Sequence, residues 1–358
     1  MNNLNIIKQR IYNQQIAHPG FTKPGDVAAW MGAIQAQDYA ASKWAVGLRG
    51  KGLTDVAIEE ALTKGTIVRT HVLRPTWHLV SPVDIRWMLA LTAPRINAFA
   101  AYYHRKLGLD NKIFKRSNAV LEKILQGGKQ LTRKEIESAF TRARIATDDL
   151  RFIHLMLHAE LDAVVCNGGR QGKQFTYALL DERVPAAETL HRDEALAELT
   201  GRYFKSHGPA TLQDFSWWSG LTTADAKKGI EMIKPTLMHE VVDGNTYWFS
   251  SSLQPAKNIS RAVYLLPNFD EYIVSYANRG AIFGETYVKK IDPRNLFNNA
   301  IIINGMFAGN WKRVLKKDSV EIALKPFSKL SKANTDAVII AAKRYGKFLG
   351  LPAVVAFK

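Results

Sequence analysis

The stretch IVRTHVLRPTWHLV, Ile67 to Val80, reads as an alternating strand, a proline-containing turn and a second strand, and it decides the fold. Working back from it, a helical pattern with a Thr54 or Asp55 cap covers LTDVAIEEALTKG, an apolar helical run covers VAAWMGAI, and a first helix covers residues 4–16. Helices closed by a two-stranded hairpin describe a winged helix.

The same order recurs twice. In 117–180 the helix SNAVLEKILQ precedes LTRKEIESAF, DDLRFIHLMLHAE and the hairpin AVVCNGGRQGKQFTYALL. In 190–250 RDEALAELTGRYFKSH precedes TLQDFSWWSG, TTADAKKGIEMI and the hairpin HEVVDGNTYWFS. The closing strands align as TWHL at Thr76, TYAL at Thr176 and TYWF at Thr246; one Thr-aromatic pair is ordinary strand composition, but three in matching context indicate a repeat. Between the first two units, SPVDIRWMLALTAPRINAFAAYYHRKLG reads as a helix opened by Ser81, Pro82 and Asp84. Past residue 255 the texture becomes β-rich. The expected class is therefore α+β: winged helix 1 with a helical extension in 1–116, winged helix 2 in 117–186, winged helix 3 in 187–254, and a small β-barrel-like domain in 255–358.

Forty-nine Lys and Arg against 32 Asp and Glu give a net charge of +17. That excess, spread over folded-looking segments, points to nucleic acid as partner more than to a membrane surface. No apolar run is long enough for a membrane span and MNNLNIIKQR is no secretory signal, so a soluble cytoplasmic protein is expected. The single Cys166, in the apolar run LDAVVC, is expected to be inert, and it excludes an intrachain disulfide or a cysteine metal cluster.

The first hairpin concentrates Arg69, His71, Arg74, Trp77 and His78, residues suited to phosphate contact and base stacking, and all five are expected to touch DNA. Arg170 and Lys173 in NGGRQGKQ are expected at a basic wing tip on phosphate; the spacing is not that of a Walker A loop. His154 and His158 stand at i and i+4, but HLMLH lacks the glutamate of HExxH and no third ligand is evident, so no metal is expected. Asp270 and Glu271, adjacent on an extended chain, face opposite ways and suggest structural roles.

In AIQAQDYAASKW, Gln35 and Gln37 would point about 200° apart on a helix. They share a wall only if the helix ends near Ile34. Glutamine is neither acid nor base at neutral pH, but it can orient a water and aim a carbonyl dipole at developing positive charge.

Together QAQDYAASKWAVGLR, RTHVLRPTWHLVSPVDIRWMLALTAPR and LLPNFDEYIVSY resemble the winged-helix DNA glycosylases of the AlkZ/YcaQ type, over nearly the whole chain. The YcaQ-like branch carries aspartate in place of the second glutamine, so Gln35-Ala36-Gln37 matches the AlkZ-like form. The resemblance implies a monofunctional glycosylase acting on bulky N-alkylated purines of double-stranded DNA, with some members acting on interstrand crosslinks. It implies Gln35 and Gln37 as catalytic residues and a curved basic channel for DNA. No cofactor is expected, and a monomer is. The alternative is a non-catalytic winged-helix DNA-binding protein or transcriptional regulator.

Overall fold

The computed structural model describes residues 3–187, 190–254, 256, 262–284 and 297–358. The expected start of the last domain at residue 255 lies outside the described residues.

Helix α1 (Asn3–Asn13) leads to α2 (Pro24–Met31), which has proline at its first turn and stops at Gly32, φ +74°. The chain then extends as β1 (Ala33–Gln35). Next comes a helix that no amphipathic stripe announces, α3 (Tyr39–Arg49), capped by the Asp38 carboxylate accepting from the Ala41 N–H at 3.0 Å. Residues 41–49 are all buried, so α3 has no polar face to give it a period. Helix α4 (Asp55–Lys64) starts at Thr54, whose hydroxyl accepts from the Ala57 N–H, and ends at a left-handed Gly65. Strands β2 (Val68–Val72) and β3 (Arg74–Val80) follow, turning at Leu73, φ +64°, and not at Pro75. Pro75 falls in the bulge between the His71–Trp77 and Val72–Arg74 pairs, where the ladder asks no N–H of it.

Helix α5 (Ile85–Lys106) crosses to α6 (Asn111–Leu125), β4 (Leu131–Thr132), α7 (Arg133–Arg142), α8 (Arg151–Leu161), β5 (Val165–Asn167) and β6 (Thr176–Leu179). After the short α9 (Leu180–Arg183) come α10 (Arg192–Ser206), α11 (Leu212–Ser219), α12 (Thr223–Ile233), β7 (Leu237–Val242) and β8 (Asn245–Ser250). The three stretches share a detail beyond element order. In each, the chain leaving the first helix pairs antiparallel with the final strand: Gln35 with His78, Leu131 with Tyr177, and Ala210 with Trp248. The Thr-aromatic signature is therefore where a short strand, or in the last case a single bridge, docks. Gln35 belongs to that docking strand.

Residues from Leu109 to Val165 form a core of their own, whereas the first and third stretches and the C-terminal sheet share one continuous core. That sheet runs in the order β13 (Ala353–Phe357), β12 (Val320–Pro326), β11 (Met306–Leu315), β10 (Ala300–Ile303), β9 (Val263–Leu266), with only β12–β13 parallel. Helix α15 (Lys332–Leu349) lies against β9, β13 and α3. Among the described residues β9 and β13 are the two edges of this sheet and do not pair with each other, and α15 lies against it. Two short helices, α13 (Glu271–Val274) and α14 (Gly280–Phe283), follow β9.

Candidate active site

The Gln-Ala-Gln motif begins in a strand, which removes the helical conflict between its two amides. Helix α2 ends three residues before Ile34, and the extended backbone runs beside β3, with the Ala36 N–H donating to the Trp77 carbonyl at 2.6 Å. The outcome for the side chains is unequal. Gln35 is 8% exposed, while Gln37 is at the surface, so one amide and not both reaches solvent.

Neighbours fix each residue of the motif. The Gln35 N–H donates to Glu271 Oε1 at 2.6 Å, and Arg74 Nη2 donates to Gln35 Oε1 at 3.2 Å. Arg69 donates from Nε and Nη2 to the Ala36 carbonyl at 3.2 and 3.1 Å, and from Nη1 to Asn167 Oδ1 at 2.8 Å. The Trp77 N–H points at Gln37 Oε1, 3.4 Å away.

Beneath the motif lies a dry polar core. Glu271 is fully buried; its Oε2 accepts from Trp218 Nε1 at 3.1 Å and from the Ser275 hydroxyl, with His207 Nε2 3.7 Å away. Burial pushes this carboxyl up, but His207, Ser275 and Arg74 outweigh it and hold the group at about 2, so it carries charge. Asp270, the cap of α13, takes both oxygens to Arg49 at 2.8 Å, and Arg49 also donates to Gln14 Oε1. The adjacent carboxylates face different partners, Asp270 as the cap of α13 and Glu271 as its first residue, and Glu271 supports the motif directly.

Two of the residues expected to contact DNA are buried in this structure. Arg69 is 6% exposed and points inward, its guanidinium 4.0 Å over the Trp77 ring and 4.8 Å over Phe175; burial pulls it down to about 10. His78 is fully buried, its Nδ1 2.9 Å from the Thr76 carbonyl, and burial beside Arg74 drives it down to about 3, the neutral form. Arg74 is also largely enclosed and turns to Gln35. His71 and Trp77 are half-buried, their rings 3.9 Å apart and tilted by 41°. Arg170 is exposed and paired with Glu59 at 2.8 Å, and Lys173 is exposed.

A cleft of about 630 Å³ opens where the hairpin meets α5 and α8. Gln37, His71 and Trp77 form one wall, and Phe99, Tyr103 and Ile153 line another. His154 also lines it, while His158 stacks on Phe114 at 3.7 Å; among the described residues no group of His, Cys, Asp and Glu is arranged to hold a metal. Cys166 is buried and its thiol is pushed up to about 12 by desolvation. Among the described residues no helix is long and apolar enough to cross a membrane.

Sequence reasoning missed Asn167, Glu160, His207 and Trp218. Glu160 had a signal: it is a lone acid in the apolar end of LHAEL, where an uncompensated carboxylate is costly. The others carried none, since Asn167 lies 98 residues from Arg69, and Trp218 lies 53 residues from Glu271.

Residues 28–348 match the sequence model of the DNA glycosylase AlkZ-like family, and the chain belongs to that family. It is 22% identical over 216 residues to an interstrand DNA cross-link repair glycosylase of Streptomyces sahachiroi, spanning 57% of this chain and 56% of that protein. The solved structure of Streptomyces sahachiroi DNA glycosylase AlkZ superposes with a TM-score of 0.80 at 18% identity, covering 99% of this chain and 100% of the other.

Proposed function

We propose that this chain hydrolyses the N-glycosidic bond of bulky N-alkylated purines in double-stranded DNA, interstrand crosslinks included, as a monomer without a metal or organic cofactor. Three winged-helix units, 1–116, 117–186 and 187–254, would form the DNA-binding body, with the C-terminal β-rich region from 255 completing it. Gln37 would place the attacking water and direct its carbonyl dipole at the sugar as C1′ gains positive charge. Gln35 would set the motif through Glu271 and Arg74. His71, Trp77, Arg170 and Lys173 would contact DNA. An alkylated purine with a positive ring is already a good leaving group, so stabilising the sugar cation is the main demand on the protein.

The observation that carries this reading is the exposed Gln37 amide, its oxygen facing the Trp77 N–H, on the wall of the cleft. Incubating the full chain with duplexes bearing N7-alkylguanine, and measuring released base by chromatography, tests it. Release is expected from the wild type, and Gln37→Ala should lose about 100-fold or more with DNA affinity kept. No release from any alkylated or crosslinked duplex, or full activity in the Gln35→Ala/Gln37→Ala protein, refutes it.

A further inference from the structure

The reaction that glutamines assist still needs a place for the proton of the attacking water, and an amide offers none at neutral pH. Beside Gln37 the structure holds a group that does. Glu160 on α8 is fully buried, and its Oε2 accepts from both the His71 backbone N–H, at 3.3 Å, and the His71 ring Nδ1. Its Oε1 has no hydrogen-bond partner among the described residues. A buried carboxylate is costly unless its charge is used, and here the ring it faces lines the Gln37 cleft.

With Nδ1 committed to the carboxylate, a neutral His71 carries its proton there and leaves Nε2 as a lone-pair acceptor. No described residue is bonded to Nε2. The ring lies against that of Trp77, centroids 3.9 Å apart and tilted by 41°, and the Trp77 N–H faces the Gln37 amide oxygen, so one residue contacts both groups.

We propose that His71 is the general base of this site and Glu160 the residue that positions it. The inference rests on the glycosylase reading above. As the C1′–N bond breaks, its electron pair leaves with the base, which becomes neutral if it was a cationic alkylpurine. The water oxygen bonds to C1′, and its proton passes to His71 Nε2, giving an imidazolium beside the Glu160 carboxylate. The proton then returns to solvent.

The charged and titratable groups around His71 are Arg69 on its own strand, His78 on β3 and Glu160 on α8. Tyr103 on α5, Arg133 on α7, His154 on α8 and Tyr177 on β6 share its cleft. Burial holds His78 and His154 toward their neutral forms and keeps the Tyr177 phenol protonated, so Glu160 is the carboxylate facing the ring.

Single-turnover base release by the full chain on an N7-alkylguanine duplex, from about pH 5 to 8, decides the matter. Wild-type rates should fall on the acid side. His71→Asn should lose about 100-fold at neutral pH and lose the acid limb, a loss much larger than any fall in DNA affinity measured by fluorescence anisotropy. Glu160→Gln should slow base release with DNA affinity kept, and free imidazole should restore part of the rate of His71→Ala. A flat wild-type profile overturns the proposal whether or not the variants fold. So does a His71→Asn rate that falls only in proportion to lost DNA affinity, or one that equals wild type while Gln37→Ala is inactive; both leave the glycosylase reading standing. Absence of base release by the wild type overturns both.

Discussion

Replacing Arg69 by methionine separates two meanings of an arginine in a basic hairpin. In the structure its guanidinium gives two bonds to the Ala36 carbonyl and one to Asn167, under the Gln-Ala-Gln strand. Bonds from a charged donor contribute about 1.5–3 kcal/mol each, so their loss costs about 4–9 kcal/mol. Methionine refills most of the volume and removes a charge that burial had lowered to about 10, which returns about 3 kcal/mol. The net expectation is a loss of about 1–6 kcal/mol. Urea unfolding followed by tryptophan fluorescence measures it, and DNA binding across a salt series supplies the second readout. The midpoint should drop while the slope of log K against log salt stays as in the wild type. Unchanged stability with a slope smaller by about one would mean that Arg69 touches a phosphate and that the inward placement is wrong.

Other perturbations probe different parts of the molecule. Glu271 falls from 4.5 unfolded to about 2 folded, so its contribution of about 3 kcal/mol is complete above about pH 4.5 and vanishes as pH drops toward 2. Glu271→Gln should therefore melt lower at pH 7 and show a flatter acid limb in a series of melting temperatures; an identical limb would deny the shift. Cys166 should resist a thiol reagent in the native protein and react at the unfolding rate, and immediate stoichiometric labelling would contradict its burial. Lys173→Ala should leave the urea midpoint within about 0.5 kcal/mol of wild type and reduce the salt slope of DNA binding by about one. An unchanged slope would remove Lys173 from the DNA surface.

Much of the element order was legible because alternating hairpins, capped helices and turn residues are local signals. Thr54, Thr76, Thr176 and Thr246 each marked a position that the structure uses. Helix α3 was illegible for the opposite reason: buried on all sides, it has no stripe. The two glutamines gave half an answer. Their i, i+2 spacing required the helix to stop, and it does, but spacing is silent on what holds the strand that replaces it. Glu271 donates nothing to the local pattern around Gln35, being 236 residues away, and Asn167 lies 98 residues from Arg69.

Burial also reversed the sign of the inference drawn from charge at the hairpin. Arg69 and His78 read as DNA contacts because exposed cations are the usual case, yet they turn inward around the motif. This does not weaken the argument from net charge. Among the described residues, Arg10, Lys43, Arg49 and Arg69 are the buried cations, and Asp84, Glu160, Asp214, Asp270 and Glu271 are the buried carboxylates. The two sets nearly cancel, so among the described residues the buried core adds almost nothing to the chain's excess of +17. The cations that meet a polyanion are thus a different set from those that shape the site, and a substitution that abolishes one role should leave the other measurable.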